Sequence, residues 1–165
     1  MYVMKTAFVR LILVAWFCLA TESFAWGNVY EPIQWGQGIQ ELVKAKQLSS
    51  YIEGETKSIF TGRNTQSLLA DISFFHTKAT AFYTFDDGKL REIVIHIKES
   101  PHQNDLYKRL ESRIANNYIS YSGELFSGFD ERFTDKKKTT LVFMAKGDGI
   151  FIYFLDYRYY EHYKK

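Results

Sequence analysis

Apolar and polar positions alternate most clearly over residues 81–97, AFYTFDDGKLREIVIHI, where two β-rich runs flank Asp86-Asp87-Gly88. Asp-Gly supplies the positive φ that a tight hairpin needs, so the pattern predicts a hairpin with a bulge at Gly88. In its second arm Ile93, Ile95 and Ile97 fall on one side, and Glu92, Val94 and His96 on the other. One face is therefore buried and the opposite face at least partly wet. A helical period occurs twice. Ile39, Leu42, Val43 and Leu48 predict a first helix over 37–47, entered through Gly36 and Gly38, with Trp35 as a plug between helix and sheet. Leu106, Leu110 and Ile114, at i, i+4 and i+8, predict a second over 104–118, capped by Asn104 or Asp105.

Weaker strand patterns cover residues 50–60, with Gly54 inside, and 68–76, separated by a turn at 61–64. Two further strands are expected at 139–145 and 150–159, around a turn at 146–149. Residues 120–138 read as a loop, and a folded one, because Phe126, Phe129 and Phe133 must pack somewhere. No internal repeat stands out. The order α-β-β-β-β-α-β-β predicts an α+β fold: a single antiparallel sheet of five to six strands with two helices packed on one face.

The N-terminus has a different pattern. Lys5 and Arg10 precede the continuous apolar run 11–20, LILVAWFCLA. As a helix this run rises about 15 Å, half of a bilayer's hydrocarbon core. Ser23-Phe24-Ala25 then offers small residues at the positions a signal peptidase accepts. The reading is a cleaved signal peptide, 1–25, and one globular domain, 26–165. The rivals are lipidation at Cys18 and an uncleaved anchor. Trp16 and Phe17 stand where a lipoprotein box needs small side chains, and the run is short for an anchor.

Removing the 25-residue leader from 165 leaves 140 residues, enough for one self-supporting core. The leader carries two of the 21 basic residues and one of the 19 acidic ones, so the remainder has a net charge of +1. That balance gives no electrostatic footprint for nucleic acid or anionic membrane. Lys136-Lys137-Lys138 is read as a solvated turn. Cys18, the single cysteine, leaves with the leader, so no disulfide, zinc thiolate or cysteine nucleophile is expected. Abundant aromatics supply the core instead. Asn28, Asn64, Asn104, Asn116 and Asn117 all lack the glycosylation hydroxyl. An exported protein without sequons or disulfides points to a bacterial envelope or secreted protein.

The frame of Trp35-Gly36, a helix, strands, then Phe82-Tyr83, Phe85-Asp86-Asp87-Gly88-Lys89-Leu90 and a helix carrying Tyr107 and Leu110 resembles small exported bacterial α+β domains of uncharacterised function. The resemblance spans about half of the mature chain and implies no catalytic residues; separately, no metal or cofactor is expected.

Catalytic patterns are absent from the sequence itself. There is no His-Glu-x-x-His, Gly-x-Ser-x-Gly elbow or phosphate-binding loop, and Asp86-Asp87-Gly88 lacks the distal ligands of a calcium loop. His76 and His96 are the pair that neighbouring strands could bring together on a metal; turn or surface positions are expected for both. Nothing marks Glu41, Glu53, Glu92 or Asp71 as a close carboxylate pair. The expected function is a non-catalytic binding or assembly module with a protein partner in the envelope. Tyr157, Tyr159, Tyr160 and Tyr163 are its candidate contact surface. The alternatives are a secreted enzyme inhibitor acting through a loop at Phe126, Phe129 and Phe133, and a hydrolase with a dispersed site.

Overall fold

The Asp-Gly turn forms as the sequence requires: Asp87 and Gly88 both take positive φ, 57° and 68°, the geometry of a two-residue hairpin turn. It joins β4 (Thr77–Asp86) to β5 (Lys89–Lys98). The bulge lies three residues beyond Gly88, not at it. The register shifts between Thr84 and Phe85, which face Glu92 and Leu90, so Arg91 is the extra residue. Leu90 bonds instead to the Trp35-Gly36-Gln37 segment, donating to the Gln37 carbonyl at 2.9 Å and accepting from Gly36 N at 3.1 Å.

The computed structural model describes residues 25–26, 33–129 and 131–162. Residues 1–24 of the expected leader and Tyr163 lie outside these residues, while Ala25 and Trp26, on either side of the expected cut, are described. The other elements are β1 (Ala25–Trp26), α1 (Ile39–Lys46), β2 (Ile52–Lys57), β3 (Asn64–Phe74), α2 (Gln103–Ala115), β6 (Ile119–Ser120), β7 (Arg132–Thr134), β8 (Thr140–Lys146), β9 (Gly149–Asp156) and α3 (Tyr157–His162). They build one sheet in the order β3-β4-β5-β9-β8-β7-β6, with β2 antiparallel and β1 parallel against the outer edge of β3.

The expectation of five to six strands with two helices is corrected. Among the described residues eight strands, β2–β9, pair antiparallel, β1 adds a short parallel one, and there are three helices. The missed strands β6 and β7 are two and three residues long, too short to show an alternation. The final strand stops at Asp156, whose carboxylate accepts from Tyr159 N at 3.4 Å, and the chain turns into α3. The second helix has His102 at its N-cap position, without a side-chain capping hydrogen bond, and the expected caps Asn104 and Asp105 lie inside the helix.

Connectivity divides the chain into two equivalent halves, each a helix followed by a four-strand meander: α1-β2-β3-β4-β5 and α2-β6-β7-β8-β9. The halves meet along β5 and β9, their last strands. On one face of the sheet Tyr83, Phe85, Ile93, Ile95, Ile152 and Phe154 form a dry core beneath Leu42 of α1 and Leu110 and Ile114 of α2. The opposite face has its own aromatic cluster, with Leu141, Phe143 and Leu155 beneath Leu125, Tyr157 and Tyr160.

Candidate functional site

The two halves differ in how they treat that second face. In the C-terminal half the β6–β7 connection is eleven residues long, 121–131, and folds back over the sheet. Arg132 holds it there, donating from Nη1 to the carbonyls of Gly123 (2.6 Å) and Leu125 (2.9 Å). Phe129 lies over Phe143 at 4.0 Å between ring centroids, and Phe126 packs edge-on against Phe60 at 4.8 Å. In the N-terminal half the equivalent β2–β3 connection has six residues, 58–63, and leaves most of its strands bare.

One cross-strand row shows the contrast. Register places Ile52, Leu69, Phe82, Val94, Tyr153 and Phe143 side by side on adjacent strands. Phe143 is fully buried under the loop, whereas Phe82 is 41% and Ile52 67% exposed. Leu69 and Val94 are half-buried. With strands about 4.8 Å apart, the four open residues form an apolar strip roughly 14 Å long.

At the bulged end of the sheet, three acidic residues are buried: Asp86, Glu92 and Asp156. Each is matched by donors. Arg63 reaches Asp86 at 2.6 Å and Arg91 reaches Asp156 at 2.5 Å. Tyr159 donates its hydroxyl to Asp86, and Tyr160 donates to Glu92. Ser58 donates to Glu92 at 2.5 Å while its oxygen accepts from Phe60 N and Thr61 N. The bulge explains Arg91, because an extra residue re-aims its side chain; the guanidinium sits 4.7 Å from the Tyr159 ring centroid. A cavity of about 490 Å³ beside this cluster is lined by Trp35, Arg91, Arg158, Tyr159 and His162 among others. Chemically the cluster is a staple. Carboxylates engaged by tyrosine, serine and arginine donors fix α3 and the 58–63 turn to the sheet.

No family model, curated protein or solved structure matches the chain.

Of the candidate contact tyrosines, Tyr157 and Tyr160 are buried, and Tyr159 is half-buried with its hydroxyl on Asp86. Phe126 and Phe129 pack inward on the second face, and Phe133 is buried in the core on the helix face. His76 lies exposed in the β3–β4 turn, while His96 stacks on Phe151 at 4.4 Å. Among the described residues, no group of three or more His, Cys, Asp or Glu is arranged to hold a metal, and no helix is long and apolar enough to cross a membrane. Sequence reasoning missed Ile52, Leu69 and Phe82 as a surface. The alternation that marked Val94 as outward was the available signal, since Phe82 pairs with it.

The buried tyrosines give the fold an alkaline limit. Burial raises the Tyr118 phenol to about 12, with the Asp135 charge adding to the effect. Burial and then Glu92 raise Tyr160 further. Below pH 10 both phenols are neutral in the folded and the unfolded chain. As pH rises through about 10, the unfolded chain loses protons that the folded chain retains, so stability is lost upward from there. Urea melts should give a steady midpoint up to about pH 10 and a falling one from 10 to 12. An unchanged midpoint at pH 11 would contradict this burial.

Proposed function

We propose that this chain is an exported, non-catalytic binding module of the bacterial envelope, and that it holds a protein partner on the open second face of β2–β5. The observation that carries the reading is the apolar row Ile52, Leu69, Phe82 and Val94. It lies in register and uncovered, whereas its continuation through Tyr153 and Phe143 is roofed by the protein's own Phe129. A contiguous apolar strip of this kind fits a partner presenting an apolar ridge of similar length. The short positive head, the 10-residue apolar run and Ala25 support export. The inhibitor reading rested on Phe126, Phe129 and Phe133, whose rings are spent on internal packing.

Phe82→Asp tests the surface. The substitution is at an exposed position, so folding stability should change by no more than about 1 kcal/mol. Capture of the envelope partner by the tagged protein should fall at least about tenfold, since a charge now sits in the centre of the contact. Equal capture of the same partner by wild type and variant, or no partner held by wild type, would refute the assignment. Concentration-dependent dimerisation abolished by Phe82→Asp would make the partner a second copy of the chain.

A further inference from the structure

A second site lies where the central ladder opens. Pairing between β4 and β5 ends at Thr80–His96. Residues 77–79 of β4 keep partners only on β3, and residues 97–98 of β5 only on β9. Between these ends is a cleft of about 890 Å³, within the range of roughly 300–1,000 Å³ usual for ligand sites. Side chains from both faces of the sheet line it, which a continuous ladder would prevent. Leu48, Ile72 and Leu106 give it an apolar floor on the helix side. Lys78 and Lys98 line it together with one carboxylate, Asp71. Lys78 and Lys98 are two residues from Thr80 and His96, so they share the outward side of the sheet with those residues.

We propose that this cleft takes an extended acidic peptide segment, inserted as a short strand between the ends of β4 and β5. Three features converge on that ligand. The strand ends offer main-chain groups to an added strand. The lysines supply charge complementarity for carboxylates. The two sides of the cleft match the alternation of a strand, in which successive side chains point opposite ways: acidic residues toward Lys78 and Lys98, apolar ones toward Leu48, Ile72 and Leu106. A fatty anion would satisfy the lysines and the floor but leave the strand edges unused. The residues are distinct from the open apolar row, so the site stands without that reading.

Fluorescence anisotropy with the purified protein tests it, using three labelled hexapeptides: alternating Glu-Leu, alternating Lys-Leu, and Glu-Glu-Glu-Leu-Leu-Leu. The alternating Glu-Leu peptide should bind. The blocked peptide and the Lys-Leu peptide should bind about tenfold more weakly or not at all. The double variant Lys78→Glu/Lys98→Glu, at two exposed positions, should keep its melting temperature and lose about tenfold in affinity for alternating Glu-Leu. Bound peptide should slow amide exchange at residues 77–79 and 97–98. Absence of Glu-Leu binding, equal binding of the blocked peptide, unchanged affinity in the double variant or unchanged exchange would each overturn the proposal. Decanoate binding without Glu-Leu binding would assign the cleft to an anionic amphiphile and overturn it equally.

Discussion

Phe143→Ala should lower folding stability by about 3–5 kcal/mol, the range for emptying a buried aromatic site. Phe143 is wholly buried and sits at the centre of the second face's cluster. Phe129 covers it, Tyr153 stacks beside it at 4.7 Å, and Phe60 meets it edge-on at 5.8 Å. Its neighbours come from the β6–β7 loop, β9 and the β2–β3 turn, so the vacancy cannot close by moving a single element. Denaturant melts of the variant give the loss directly. Phe82→Ala, in the same row but 41% exposed, should cost much less, because its ring already contacts water. Similar losses from the two substitutions would show that the two halves are covered alike, contrary to this structure.

The second large effect concerns the bulge. Arg91→Met alone should cost about 3 kcal/mol, because it leaves the buried Asp156 carboxylate without its cation and removes the guanidinium from the Tyr159 ring. The double variant Arg91→Met/Asp156→Asn should be more stable than Arg91→Met. The amide removes the stranded charge yet keeps an oxygen for the Tyr159 amide. The coupling from a double-mutant cycle should exceed about 1 kcal/mol. Additive losses would mean that the arginine and the carboxylate act separately, and that the bulge does not serve their pairing.

How much of this was legible depends on the distance over which each feature is decided. The Asp87-Gly88 turn and the Ile93, Ile95, Ile97 alternation are local, and both are present in the structure. The helix Ile39–Lys46 lies within the segment its apolar spacing marked, and Gln103–Ala115 starts one residue before its segment, 104–118, and ends three residues short of it. The helix Tyr157–His162 was hidden because tyrosines favour strands and continue the aromatic run of β9. What turns the chain there is the Asp156 cap together with Glu92 and Asp86, 68 and 73 residues away from the tyrosines they hold. Glu92 showed only an outward position in an alternating arm; its pairing with Ser58 and Tyr160 is a tertiary event. Arg91 was equally opaque, since a bulge breaks the period on which its direction would be judged. The repeated order of elements leaves no repeat in the sequence, where β6 and β7 are much shorter than β2 and β3. The open face follows from that asymmetry: a six-residue connection cannot roof what an eleven-residue one does.

The most direct test of the binding face is site-specific photo-crosslinking in the source cells. A benzophenone side chain is placed at position 82 on the open row, and in a parallel strain at position 108 on the exposed side of α2. The account predicts a discrete protein adduct from position 82 that is absent from position 108, and that disappears when Ile52 is also changed to Asp. The same adducts from both positions, or none from position 82, would contradict it.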